Sequence, residues 1–423
     1  MLLLAVVMLA ACSSGDSDET PSSRDGDCYI EFYVYQPDRP MVTRASDDAV
    51  IDPLENESTI HSLKIWAFRH ADGEKLGYLE VNETTDDNTT DDKKAGKTLL
   101  EIMNATGQQM FKMKVPAYFA DNPENVDVYV VANESGVSLG ESSSREAIKT
   151  ATITSFGVYS DYNAENAPVI KAVPSDGLPM SAMLENQSIY GSFPTLRIGD
   201  ATQIATLRLT RAVSKLRFVI CRKKETGNDK RILESITSIK LNAGMIPTQS
   251  FLMPVAASSY ESYVATEMDY VNNDGAFARS SSTFDTTIPQ IPKTSEPAKG
   301  PLDYAYTTQT PEEYEALINE GVNKGDLKQF GITYLRESPK QLKGTIVYTI
   351  RKRDNTTTSW ENATTSNETA YFSMAAPGEF MRNHSWIIYI FFMDEKIHTL
   401  TVTNLGMRDW SDGGSTDHSV YNW

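Results

Sequence analysis

Cys12 is the residue whose neighbours most directly specify a reaction. It closes the apolar run 1–11, which is too short to span a bilayer as a helix. Leu9-Ala10-Ala11-Cys12 matches the lipobox at which bacterial lipoproteins are cut and acylated on the thiol, small residues ahead of it giving the peptidase access to the backbone. No Lys or Arg precedes the run, although signal peptides normally carry a positive n-region. Two readings stay open, a start codon placed too far downstream or a segment that is not a lipobox. The second candidate reaction is proteolysis. In the polar, Pro-containing stretch 36–48, Arg39 is followed by Pro40, which blocks trypsin-like cleavage, whereas Arg44 is followed by Ala45 and is open to it. Taken alone, an Arg-Ala pair in a loop is usually just a loop.

Other chemistry finds little support. His61, His70, His384, His398 and His418 are scattered, without HExxH or metal-ligand spacing. There is no Gly-x-Ser-x-Gly, no phosphate-binding glycine loop and no thiol beside a histidine. The 57 carboxylates offer no pair that the spacing singles out for glycoside hydrolysis. Asp86-Asp87 and Asp91-Asp92 come as adjacent pairs rather than at alternate ligand positions with a turn glycine and a closing Glu, so they read as a solvated hairpin tip and not a calcium loop. No enzyme, cofactor or metal is expected. If Cys12 is acylated and Cys28 leaves with a leader, Cys221 has no partner and the mature fold depends on no disulfide.

Cys12 and Arg44 must be positioned by the elements between and beyond them. Behind Cys12, residues 13–19 are acidic and small, a disordered tether. Residues 28–35 are then rich in aromatic and β-branched side chains between Gly26 and Pro37, which predicts a strand. A lone strand is unstable in water and must pair with a following domain. The 423-residue length suggests two domains plus a leader, and 40% hydrophobic content is enough for two cores. The net charge is −18, of which residues 1–44 carry −4 and the remainder −14. So acidic a chain is a poor partner for nucleic acid or anionic lipid, both of which need Lys and Arg.

From Ala45 onward, β-structure alternates with polar insertions. Residues 60–68 alternate, with Leu63, Ile65 and Ala67 on one face and Trp66 and Phe68 on the other. Further strands are expected at 76–81, 111–115, 126–132, 236–241, 344–350, 385–392 and 397–402. Ser143-Ser144-Arg145-Glu146 fits a capping box before a short helix over Ala147 and Ile148, and Thr310-Pro311-Glu312-Glu313 starts a better one closed by Gly321. Residues 255–300 and 351–367 read as polar loops, and Asp285-Thr286-Thr287 as a candidate O-glycosylation acceptor. A domain boundary is expected near Gly199-Asp200. Along 205–220 the apolar parity changes around Arg211, predicting two strands or one bulged strand, and the cations Arg208, Arg211, Lys215 and Arg217 point to a solvated or interdomain face.

Lipobox, leading strand and accessible Arg-Ala, in that order, resemble the fimbrillins, the lipoprotein pilins of Bacteroidales-type (type V) pili. So do the 126–132 strand with Asn133, the short helix and Leu178-Pro179-Met180-Ser181 behind it, the Leu-Thr-Arg-Ala-Val-Ser-Lys-Leu stretch at 209–216, Arg382-Asn383-His384 before a strand, and the Trp410-Ser411-Asp412-Gly413-Gly414 tail. The resemblance implies two tandem, mostly antiparallel β-sandwich (transthyretin-like) domains with a few short helices, over 45–200 and 201–423. It implies export as an outer-membrane lipoprotein on Cys12, cleavage by an Arg-specific protease between Arg44 and Ala45, and removal of the leading strand to open a groove. The strand-exchange residues would then be Tyr29, Ile30, Phe32 and Val34 on the leader and Val420, Tyr421 and Trp423 on the tail. Partners would be other fimbrial subunits at the cell surface. A chain ending on Trp423 should bury that end, either on its own domain or in a neighbour's groove. Anchor and tip roles are alternatives, as is a glycan-binding surface lipoprotein using Trp66, Trp360, Trp386, Trp410 or Trp423 as an aromatic platform.

Overall fold

The computed structural model describes residues 26–37, 57–82, 98–134, 137–153, 176–223, 227–269, 290–291, 328–373, 382–383, 385–393 and 395–404. These residues form a mainly β protein of stacked sheets. Strands are numbered in chain order. The first sandwich pairs one sheet of β1 (Cys28–Tyr35), β4 (Gln108–Val115), β8 (Ile189–Ser192), β9 (Thr195–Ile198) and β10 (Thr206–Arg208) with a second of β2 (Ser62–Arg69), β3 (Lys75–Asn82), β5 (Val126–Ala132), β7 (Met180–Gln187) and β11 (Thr210–Arg211). Both sheets contribute to one core, with Ile30, Phe32, Val34, Phe111 and Met113 from one and Leu63, Ile65, Val128 and Val130 from the other.

In β2 the alternation seen in sequence separates two faces, and both are buried. The outer face is covered by residues 137–149, where Trp66 Nε1 donates to Gly140 O at 3.0 Å. Helix α2 (Arg145–Lys149) starts there. Its cap is Ser144, whose hydroxyl accepts from Ala147 N, while Ser143 instead accepts from Gly140 N. A further helix, α1 (Leu99–Thr106), falls between the strands expected at 76–81 and 111–115, where the sequence pattern marks no helix. Thr98 and Glu101 form a reciprocal capping box, Leu99, Leu100 and Met103 are buried, and Gly107 at φ +80° turns the chain directly into β4.

The second sandwich pairs β12 (Val213–Lys223), β16 (Gln290–Ile291), β17 (Lys328–Arg336), β20 (Ser385–Met393) and β21 (Lys396–Asn404) with β13 (Arg231–Leu241), β15 (Met268–Asp269), β18 (Lys343–Lys352) and β19 (Thr364–Ser373). Pairing is mostly antiparallel, but β1 runs parallel to β9 and β10, and β12 parallel to β16 and β20. The polar loop expected over 351–367 ends early, because β19 begins at Thr364. This edge strand shows exposed side chains at most positions and so lacks the apolar alternation of a half-buried one.

The stretch 205–220 breaks twice. β10 pairs with β1, β11 with β7, and β12 continues into the second sandwich, carrying a register shift between Leu216 and Phe218. The halves also meet through the two-residue ladder of β6 (Thr152–Ile153) with β14 (Ser250–Phe251) and through a buried polar network. Arg211 Nε donates to Glu57 O at 2.8 Å, its Nη2 to Ser58 Oγ at 2.7 Å and its Nη1 to Asn383 Oδ1 at 3.0 Å. The Glu57 carboxylate accepts from Lys215 Nζ at 2.6 Å and from the Tyr334 hydroxyl. Arg211 and Lys215 are therefore junction residues, while Arg208 lies over the Tyr35 ring at the surface.

Candidate functional site

β1 is a central strand made of residues that precede almost the whole fold. On one side it pairs with β4 over its entire length, from Cys28 opposite Val115 to Tyr35 opposite Gln108. On the other side β9 takes Tyr29 to Glu31 and β10 takes Tyr33 to Tyr35, both in parallel. Backbone bonds continue past these ladders. Tyr29 N donates to Pro194 O at 2.9 Å, Tyr33 N to Ala205 O at 3.1 Å and Gln36 N to Gly107 O at 2.9 Å, and Leu209 N donates to Tyr35 O at 2.9 Å. A groove bounded by β4 and by β9 with β10 is therefore filled by main chain bonded on both flanks.

Period two decides which side chains enter it. Cys28, Ile30, Phe32 and Val34 point inward and are fully buried, Phe32 stacking on Phe111 with ring centroids 6.4 Å apart. Each of the three larger ones stabilises the seated strand by about 1.5–3 kcal/mol. The outward face is polar. Glu31 lies between Lys112 Nζ at 3.2 Å on β4 and Arg197 Nε at 3.4 Å on β9. Asp27, just ahead of β1, pairs with Lys114, which together with the hydroxyl of Tyr29 holds its carboxyl below the usual range.

The C-terminal end of β1 is tied to chain beyond the Arg44 segment. Gln36 Nε2 donates to Ser58 O at 2.9 Å, so residues 37 and 57, which bracket the segment containing Arg44, lie close together. The chain from Glu57 onward is held firmly. Besides Arg211 and Gln36, Asn104 Oδ1 accepts from Ile60 N at 3.0 Å, Asn133 Oδ1 accepts from His61 N at 2.8 Å, and Asn133 Nδ2 donates to Thr59 O and Leu178 O at 2.8 and 3.1 Å. Asn133 makes these bonds from a left-handed backbone at φ +52°, which asparagine tolerates better than most residues.

Of the residues singled out from sequence, Tyr29, Ile30, Phe32 and Val34 all lie in the groove. Cys12, Arg44, Ala45, Val420, Tyr421 and Trp423 lie outside the described residues, as do the 310–321 helix, the 86–94 tip and Asp285-Thr286-Thr287. Trp66 and Trp386 are buried and form no exposed platform; Trp360 lies beneath Arg353, whose Cζ is 4.2 Å from the ring centroid, and Trp410 is outside the described residues. Sequence reasoning missed Lys112 and Arg197. The alternation of β4 gave a signal for Lys112, but Arg197 is 166 positions from Glu31.

Comparison with solved structures finds the tip fimbrial protein Mfa3 from Porphyromonas gingivalis, in a C-terminally truncated form, at 14% identity and TM-score 0.42, covering 91% of this chain and 100% of that one. A fimbrial assembly protein from Parabacteroides distasonis matches at 14% and 0.37, covering 89% and 96%, and a fimbrial protein from Bacteroides vulgatus at 12% and 0.37, covering 89% and 98%. The chains it is similar to are fimbrial proteins. Others are described as candidate cell adhesion proteins. At these identities and TM-scores the likeness gives no residue of this chain a role. No family model matches the chain, and no curated protein does.

Proposed function

We propose that this chain is a structural subunit of a cell-surface fimbrium, exported as an outer-membrane lipoprotein through Cys12 and assembled by strand exchange after cleavage between Arg44 and Ala45. The observation that supports it is the seat of β1. The first described strand sits bonded on both flanks in the centre of a sheet, and a single cut in residues 38–56 would sever it from everything else in that sheet. In the precursor β1 occupies the groove, so polymerisation is blocked; after cleavage a strand from another subunit takes its place. The role is structural and needs no catalytic group. Its partners are other fimbrial subunits, the membrane through the lipid, and an Arg-specific protease.

Intact mass and N-terminal sequencing of protein sheared from cells, beside a denaturing gel with and without heating, tests this. A start at Ala45 with a heat-sensitive ladder is expected, and Arg44→Ala should remain a monomeric, anchored precursor. An acylated start at Cys12 without a ladder would overturn the stalk role in favour of an anchor or a non-polymerising surface lipoprotein.

A further inference from the structure

Resting on the strand-exchange reading, we propose that the groove selects its occupant by charge: the strand from another protein chain that replaces β1 must carry a carboxylate at the position of Glu31, where Lys112 and Arg197 meet it from the two flanking strands. Apolar alternation alone cannot fix the register of a strand in this groove. A one-residue slip would turn Cys28, Ile30, Phe32 and Val34 outward, and burial forbids that. A two-residue slip keeps an apolar face inward, although it sets Ile30 or Val34 in place of Phe32 beside Phe111. The outward face adds a second, electrostatic discrimination.

That face is specific. Glu31 is opposite Lys112 on β4 and level with Arg197 on β9, and its side chain is only 8% exposed, so a replacement there is largely removed from water. Sliding the strand by two in one direction sets the carboxylate opposite Met110, with no cation across the ladder; sliding it in the other sets it opposite Lys114 and level with Thr195, and Arg197 is lost. Either slip leaves Lys112 and Arg197 facing a tyrosine position. A Lys or Arg at the Glu31 position would bring three cations together at a nearly buried site, and juxtaposed like charges suppress wrong partners. The occupant is thus an extended segment running parallel to β9 and β10, apolar at alternate positions and acidic at one defined outward position.

The test uses the full chain nicked within residues 38–56. The nicked chain is incubated with labelled synthetic peptides copying residues 27–36, Cys28 replaced by Ser, with Glu, Gln or Lys at position 31. Incubation is in mild denaturant at which the nicked chain releases its own strand reversibly, and bound peptide is read by size exclusion. The Glu peptide should compete at least about tenfold better than the Lys peptide, with Gln between. Arg197→Glu, a half-exposed position that leaves the core untouched, should shrink or invert the preference. Glu and Lys peptides entering equally well would overturn the charge selection while leaving strand exchange standing. No peptide entering at all, with the chain's own strand reseating normally, would overturn strand exchange and the selection with it.

Discussion

Asp127 has no part in the groove yet is tightly constrained among the described residues. Its side chain is 2% exposed, with His70 Nδ1 2.7 Å away, Arg145 Nη1 donating at 2.7 Å and Asn186 N donating at 2.8 Å. Burial works against its charged form, but the Asn186 amide, His70 and Arg145 outweigh it and hold its carboxyl below the ordinary value of 3.8. A carboxyl whose pKa is lowered by folding adds stability that is present above the unfolded pKa and lost as pH falls through the folded one. Asp127→Asn should therefore lower stability at neutral pH by about 2–3 kcal/mol, the gap closing in thermal melts taken below about pH 4. In the core of the groove, Phe32→Ala should cost the uncleaved chain about 3–5 kcal/mol in denaturant unfolding, since the slot beside Phe111 would stay empty. Side chains of these two kinds were unequally visible in the sequence. Phe32 lies in an eight-residue run whose aromatic and β-branched composition marks a strand, whereas Asp127 is the one charged residue of an otherwise apolar strand and its partners come from positions 70, 145 and 186.

Among the elements, β1 and β12 occupy matching places. Each has an antiparallel neighbour on one flank, β4 or β17, and parallel pairing on the other, with β9 and β10 or with β20; β12 differs in also taking β16 in parallel on the β17 flank. β12 follows β11 through Ala212 alone, while residues 38–56 separate β1 from the next described residues of the chain. Cutting that connection removes no hydrogen bond from β1's ladders. The leader fragment should therefore co-elute with the nicked protein in native size exclusion and separate only in denaturant; spontaneous loss on cleavage would show the strand to be held far more weakly than its burial implies. At the helix ends, Thr98→Ala should cost about 1 kcal/mol in thermal denaturation by removing one half of the α1 box. The strand limits of β1 match those read from composition because Gly26 and Pro37 punctuate it. Helix α1 escaped notice because its cap follows directly on a charged tip that dominates the local pattern. β19 escaped because Thr, Ser and Asn on an exposed edge carry no hydrophobic period to read.

For the whole molecule, the junction is the feature that sequence could only hint at. The cations near residue 211 looked solvated or interdomain, and the partner that decides between these, Glu57, lies 154 positions away from Arg211 and 158 from Lys215. A continuous chain through Ala212, the β6–β14 ladder and this network couple the two cores, so calorimetry should record one cooperative transition. Glu57→Gln removes the carboxylate that faces the buried Lys215 ammonium, at about 3–5 kcal/mol. It should lower the transition temperature and split the transition in two; an unchanged single peak would show that the halves are coupled elsewhere. On the strand-exchange proposal, the parallel pairing of β1 also gives the assembly a direction. A groove and an inserted strand are unlike surfaces, so subunits joined through them contact one another heterologously and no two-fold axis can relate neighbours. If the incoming strand runs as β1 does, parallel to β9 and β10, every subunit added would face the same way. A fibre built like this has a head and a tail, grows by adding at chemically distinct ends, and would always present at one of them a groove that no other subunit fills.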